Sequence, residues 1–264
     1  MAANRQRLSV TEFDFDEVKD NLKLFMRNQT EFKDYDFEGS GLSALLDVLA
    51  YNTHYLGFNA NMLANEMFLD SSQLRSSVVS HAKTLGYTTR SATASNAVVD
   101  IFLNTTNASA TMPAGTVFSA SVDGVSYQFV TISDVTSSNS GSNIVFDDIR
   151  IYEGSYVSSR YVADTQNVEQ RFLINDNRVD TTTLSVVVQN SATDTIQTTF
   201  TQATDIAALT STSNVYFIQE VEDGQYEIYF GDGILGSAIE DGNIIIMQYV
   251  VTNKGAANGA STFT

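Results

Sequence analysis

The spacing of apolar residues changes character near residue 90, and that change constrains the fold more than any other feature of the chain. Before it, apolar residues recur every three to four positions, the period of a helix with one face turned to a core. After it they come in short runs rich in Val, Ile, Tyr and Phe, punctuated by Ser, Thr, Asn and Asp, which is the pattern of strands. Three helices are expected. Asp14 and Glu17 read as a capping box ahead of a stripe of Val18, Leu22, Phe25 and Met26. A second helix is expected after Gly39-Ser40-Gly41, with Leu42, Leu45, Leu46, Leu49, Leu56 and Leu63 at helical spacing and Gly57 as a point of interruption. A third, from about Ser71 to Leu85, is capped by Asp70 or Ser71 and places Leu74, Val78, Ala82 and Leu85 on one face. Gly86 then stands where a left-handed residue would end it.

Strands are expected at 98–103, 116–120, 127–132, 144–152, 171–174, 183–189 and 244–251. Asp123-Gly124 lies between Val122 and Val125 and reads as a hairpin turn, because a type I′ turn needs positive φ at both central residues. Asp223-Gly224 repeats the signal between the strands at 218–221 and 226–230, and 137–142 reads as a polar loop. Helices first and strands after give an α+β chain. A helical N-terminal domain at 1–90 precedes a mostly antiparallel β-rich region at 91–264, with room for two subdomains meeting near 150–180.

Composition narrows the chemistry. The chain has no cysteine, so thiolate zinc sites, disulfides and cysteine nucleophiles are excluded; its two histidines are too few for a multi-histidine metal site. Of 264 residues, 14 are Lys or Arg and 31 Asp or Glu, a formal charge of -17. Residues 1–90 hold 9 basic and 12 acidic groups, the remainder only 5 and 19. Such a surface repels phosphate backbones and anionic membranes, so nucleic acid and membrane are excluded as partners. The polar start MAANRQR has no apolar segment behind it, and the apolar run at 244–247 is too short to span a bilayer. A soluble chain made in a reducing cytoplasm is expected.

No constellation reads as catalytic. His54 has no committed nucleophile or orienting group beside it, and Ser80 and His81, one apart on a helix, do not face each other. The acids at Asp147-Asp148, Glu220/Glu222/Asp223 and Glu240-Asp241 read as solvated faces and turns, with a calcium loop as the rival. Asn175-Asp176-Asn177 opens like an EF-hand loop but has Asp180 where that loop needs glycine. The string Phe230-Gly231-Asp232-Gly233-Ile234-Leu235-Gly236 matches neither dinucleotide nor phosphate loops. It reads as a structural corner, with Asp232 bonding local backbone amides.

That corner belongs to a longer pattern. Phe230-Gly231-Asp232-Gly233 is followed by Gly236, Gly242-Asn243, Tyr249, Thr252 and Gly255 through Asn258-Gly259, and is preceded by Met112-Pro113-Ala114-Gly115-Thr116. Together these resemble the hallmark of baseplate J-like proteins of contractile-tailed phages. The strings at 31–43, 50–55, 64–70, 74–83, 153–157 and 215–220 are similar to the wedge subunit of T-even-like phage baseplates. Thr89 and Ala238-Ile239 depart from the pattern, where proline is expected.

The resemblance implies a β region of baseplate J-like type and a structural component of a baseplate wedge, located in the virion. Such a subunit associates with itself, as a dimer or ring, and with other wedge proteins, and rearranges on sheath contraction. It implies no catalytic residue, cofactor or metal ligand, and it implies a further C-terminal region beyond this sequence. Partner contacts are expected on the helical segment at Tyr51, His54, Tyr55, Phe58, Met62, Met67 and Phe68, against a reading of these residues as core. Pro113, Gly115, Phe230, Gly231, Asp232, Gly233, Gly236, Gly242, Asn258 and Gly259 are expected to shape the motif. An acidic β-rich binding module, either an adhesin or a calcium-dependent carbohydrate binder, is the alternative.

Overall fold

The helical periodicity is realised as α1 (Phe15–Arg27), α2 (Gly41–Glu66) and α3 (Arg75–Thr84). The structure is a computed structural model and describes residues 14–29, 39–139, 143–167, 169–221 and 224–264. The chain divides into two compact units between Tyr87 and Thr88.

In the helical unit, Asp14 occupies the N-cap of α1 but its side chain makes no capping bond. The capping box is therefore not formed, and Asp16 and Glu17 meet the positive end of the helix dipole instead. Of the predicted stripe, Val18 and Met26 are buried while Phe25 is exposed. The Ser40 side chain caps α2, accepting from the Ser43 N–H at 3.0 Å.

Gly57 does not interrupt α2, which runs 26 residues without a break. It is buried in a row with Ser43 and Ala50 at seven-residue spacing, and side chains this small let a neighbouring backbone approach closely. The Lys19–Asp47 ion pair, at 2.6 Å, ties α1 to α2.

α3 starts four residues later than expected because the Ser71 hydroxyl turns back to the Asn65 carbonyl, at 2.7 Å, and the Ser72 hydroxyl to the Phe68 carbonyl. The capping role passes to Glu66. Its carboxylate accepts from the N–H groups of Gln73 at 2.9 Å and Leu74 at 3.3 Å. Hydrogen bonds from Ser77, Gln73 and Leu74, with the charge of His81 beside them, hold this carboxyl below the ordinary glutamate range. Gly86 ends the helix as predicted, at φ 75°. The Tyr87 N–H bonds the Ala82 carbonyl and the Gly86 N–H that of Lys83, both at 2.9 Å, which is the Schellman arrangement.

Among the described residues the β unit holds two larger sheets and a small one. The four-stranded sheet has the order β1 (Asn96–Asn104), β6 (Asn143–Glu153), β4 (Val125–Val130), β3 (Val117–Val122). β2 (Ser109–Met112) pairs with β5 (Val135–Ser138). Part of the expected loop at 137–142 is therefore strand, and residues 140–142 lie outside the described part. Asp123 and Gly124 take φ 52° and 81° in the β3–β4 hairpin, as the turn chemistry required. Asp223 and Glu222 lie outside the described residues, so the second turn is described only at Gly224, with φ 74°.

The larger sheet has seven strands. Its order is β7 (Ser155–Val162), β13 (Ile244–Val251), β9 (Val179–Gln189), β10 (Gln197–Gln202), β11 (Val215–Glu220), β12 (Tyr226–Phe230), β8 (Phe172–Ile174). Every pairing is antiparallel except β10 with β11. Tyr161 on edge strand β7 donates its hydroxyl to the Leu173 carbonyl on the opposite edge strand β8, at 2.7 Å, and packs its ring on Phe172. The sheet is thus curled toward closure, as a twisted sheet of this size does to bury one face. Phe172, Ile174, Val186, Ile228, Ile245 and Met247 fill its inside. Among the described residues no helix is long and apolar enough to cross a membrane.

Candidate functional site

The most unusual surface belongs to α2. A helix on a small unit ordinarily buries one stripe and shows polar residues elsewhere. Here Tyr51, Tyr55, Phe58 and Met62 occur at i, i+4, i+7 and i+11, so they share one face, and all four are exposed; Tyr51 is 61% and Phe58 60% accessible. The rings of Tyr51 and Tyr55 stack with centroids 6.2 Å apart. Met67 and Phe68, just past the helix, are also exposed, and His54 is half-buried. Six of the seven expected contact residues are therefore not core within this chain. Sequence reasoning missed Leu45, Leu49, Leu56 and Leu63, exposed on another face of α2; the seven-residue recurrence of the last three was the available signal. His81 has a structural place, with its Nε2 donating to the Glu66 carbonyl at 2.9 Å.

The motif residues of the β unit build backbone corners. Asp232 Oδ1 accepts from the N–H groups of Ile234 at 2.9 Å and Leu235 at 3.0 Å. The chain then closes on itself where the Gly233 N–H meets the Gly236 carbonyl at 3.0 Å. A Cβ at Gly231 would lie 2.4 Å from the Leu235 carbonyl oxygen, so only glycine allows the two arms of the corner to touch. Gly236 docks the corner on the preceding loop, donating to the Thr210 carbonyl at 3.1 Å. Ile234, at the tip, is 74% accessible. Gly242 lies at the turn into β13.

The Leu235 and Ile234 amides hold the Asp232 carboxyl below the ordinary 3.8 of aspartate. A depressed pKa adds stability above the unfolded value and loses it as pH falls through the folded one. In an NMR titration the Ile234 and Leu235 amide resonances should therefore stay fixed from neutral pH down to about 4 and shift only below it. Asp232→Ala should remove that transition.

Pro113 and Gly115 form a second corner. The Thr116 N–H bonds the Pro113 carbonyl at 3.2 Å across Gly115, whose φ of 81° suits a type II turn. The Asn258 side chain accepts from the Ser95 hydroxyl at 2.7 Å, next to Gly259 in the segment that returns over the four-stranded sheet.

Among the described residues three acids of this unit are buried: Glu153, Asp180 and Glu220. Glu220 is thus not on a solvated face, contrary to expectation. It accepts a hydrogen bond from the Thr89 hydroxyl, which a proline at that position would lack. Asp180 accepts from the Ala94 N–H at 2.8 Å, and Ser91 bonds Thr181. Residues 89–95 are in this way strapped to the larger sheet. Glu153 accepts from the Thr252 hydroxyl at 2.7 Å, the Asn253 N–H at 2.9 Å and the Asn253 side-chain amide at 2.8 Å.

The remaining acids have local roles. Asp147-Asp148 form a bulge opposite Asp100, whose side chain accepts from the Asp148 N–H at 3.0 Å. Asp176 accepts from the Arg178 N–H at 2.8 Å and pairs with its guanidinium, a turn rather than a calcium loop. Asp241 accepts from the Thr165 N–H at 3.1 Å.

The helical unit displays exposed aromatic and leucine faces, and the β unit is built on glycine corners: surfaces and turns of an assembly protein rather than a reaction centre. The helical domain model of gp6-like baseplate wedge proteins matches residues 14–87, and the third-domain model of bacteriophage baseplate wedge protein gp6 matches residues 160–260. The chain is 32% identical over 272 residues to baseplate wedge protein gp6 of Enterobacteria phage T4, an alignment covering 95% of this chain. It belongs to the gp6-like baseplate wedge protein family. The chain spans 40% of that relative's length.

Proposed function

We propose that this chain is a structural component of a contractile-tail baseplate wedge, placed in the virion, without catalytic activity of its own. It associates with itself and with other wedge subunits to form an inner ring that rearranges when the sheath contracts. Residues up to Tyr87 serve as its assembly module, and the β unit, with its two larger sheets meeting at Gly154, serves as the body. The observation that carries this reading is the exposed face of Tyr51, Tyr55, Phe58 and Met62 on α2, continued by Met67 and Phe68. Aromatic and methionine side chains displayed together are the anchors of protein interfaces, and their burial against a neighbour removes apolar surface from water. The glycine corners support the reading from the other side, since their contacts serve to hold backbone.

Light scattering after size exclusion, over a concentration series at two salt levels, tests self-association. A dimer or larger species supports it; a monomer of 28.8 kDa at every concentration withdraws it. Replacing Tyr55 and Phe58 together by Ala should weaken assembly with a partner subunit, or with itself, at least about tenfold. The melting temperature should move by no more than about 2 °C, because neither side chain is core. A large fall in melting temperature would show these residues to be part of the fold's core instead.

A further inference from the structure

β1 is an open edge of the four-stranded sheet. Among the described residues it pairs with β6 on one side and with no strand on the other. The Glu153 N–H donates to the Ser95 carbonyl at 2.8 Å, so the backbone groups of Ser95 face β6. Alternation along the strand then turns those of Ala97 and Val99 toward β6 and those of Val98 outward. The extra residue of the bulge at Asp147-Asp148 belongs to β6, so the alternation continues along β1 to Asp100 and Phe102. The side chains alternate as well. Ala97, Val99 and Ile101 pack on the core, while Val98 is 52% and Phe102 68% accessible on the opposite face.

A long bare edge is a template for another strand, and proteins blunt such edges with lysine, proline or a covering segment. The other edges of the two larger sheets are engaged within the chain. On β3 the Ser119 N–H donates to the Thr264 carbonyl at 2.8 Å and the Thr264 N–H to the Ser119 carbonyl at 3.0 Å, and Tyr161 ties β7 to β8. β1 is nine residues long and holds neither lysine nor proline. Its charge is Asp100, with Asp147 and Asp148 opposite. All three carboxylates are exposed and, among the described residues, none is in an ion pair; Arg150 stands further along β6, opposite Val98.

We propose that an extended segment of another wedge protein adds to β1 as a further strand of this sheet, with a lysine or arginine facing Asp100 and apolar side chains two residues to either side of it. The proposal rests on the wedge-assembly reading and adds the surface and the chemistry of one contact. Backbone pairing along the edge supplies affinity, and the alternate side chains supply specificity. The apolar neighbours cover Val98 and Phe102, and the basic residue answers the three carboxylates. The charge of the whole β region favours a basic segment, since after residue 90 the chain has 5 basic and 19 acidic groups. A second copy of this chain does not fit. Antiparallel pairing of two β1 strands over their full length centres on Asp100 and sets it against its own counterpart, with Asp147 and Asp148 beside each. Like charges directly opposite one another destabilise a sheet.

The test takes the full chain, free and co-purified with the other wedge proteins of its phage, and follows β1 by hydrogen exchange with residue resolution. In the free chain the N–H groups of Val98, Asp100 and Phe102 should exchange at least about 100-fold faster than those of Ala97 and Val99, and in the complex they should slow to match. Val98→Pro removes an outward donor without touching the β6 ladder, and should lower retention in the complex about tenfold. Asp100→Asn keeps the acceptor for the Asp148 N–H but drops the charge, and should lower retention about threefold, and by less at high salt. A thermal melt checks that each variant is folded; if Val98→Pro is not, Asp100→Asn carries the test. If the chain joins the complex but the three amides exchange as fast as in the free chain, the wedge role stands and strand addition is wrong. Parent-like retention of the folded variants overturns it as well, and so does slow exchange of all three amides in the dilute free chain, which would mean that the chain closes its own edge. If the chain joins no complex, the wedge-assembly reading falls and this proposal with it.

Discussion

Gly154→Ala should unfold the β unit about 10 °C or more below the parent chain in a thermal melt followed by circular dichroism. Gly154 joins β6 to β7 at φ 126°, a backbone region closed to L side chains. A Cβ there would lie 2.2 Å from the Val251 carbonyl oxygen and 2.9 Å from a Val250 methyl carbon, both on β13, which is paired on both sides. The dihedral strain costs about 1–3 kcal/mol and the forced displacement of packed atoms about 1–3 kcal/mol more. Gly242→Ala separates the two effects. It too has positive φ, at 80°, but nothing lies within 4 Å of its added Cβ, so it should lose only the strain. Equal losses in the two variants would show that the close approach to β13 contributes nothing.

Replacement of Glu153, the residue before this glycine, should be nearly as damaging, for a different reason. Three donors converge on its carboxylate and it has no acceptor to serve. The Thr252 hydroxyl oxygen already accepts from the Lys254 N–H at 2.9 Å, which leaves its own proton for Glu153. Glu153→Ala orphans the buried Thr252 hydroxyl and releases two donors of exposed Asn253, and should cost about 2–4 kcal/mol in denaturant unfolding. Glu153→Gln keeps the shape but turns an amide N–H₂ toward a donor, and should recover less than half of that loss. Full recovery would mean that the oxygen count at this site is unimportant. The Glu153 bonds fix the turn at 252–254, so both variants should also speed amide exchange in the returning segment, where Ala257 is buried and Phe263 packs edge-on to Phe129.

These two sites show where sequence reasoning succeeds and where it stops. The turn at Asp123-Gly124, the left-handed end at Gly86, the Asp232 loop and the helical period before residue 87 were legible because each depends on dihedral preferences and spacings a few residues long. The resemblance marked Glu153-Gly154 as a string but gave no reason for it. The strands at Ser109–Met112, Val135–Ser138, Ser155–Val162 and Gln197–Gln202 were not legible. They are polar, and what makes them strands is backbone pairing with distant segments rather than a pattern of apolar side chains.

The candidate site divides in the same way. The aromatic face of α2 follows from spacing, and its residues could be named from the sequence. That they are exposed could not, because spacing gives a face without saying what covers it. Gly57 reads as an interruption by its own propensity, yet it continues the helix, since packing outweighs a local cost of about 1 kcal/mol.

The sequence by itself determined the helices, the apolar strands, the tight turns and the family pattern, all of which are short-range consequences of side-chain shape and backbone freedom. The tertiary structure alone decided which strands share a sheet, which acids are buried and which faces of α2 are left open. Those outcomes depend on donors, acceptors and apolar surface supplied by residues as far apart as Thr89 and Glu220, or Glu153 and Thr252. No local preference encodes such a meeting; it exists only once the chain has folded.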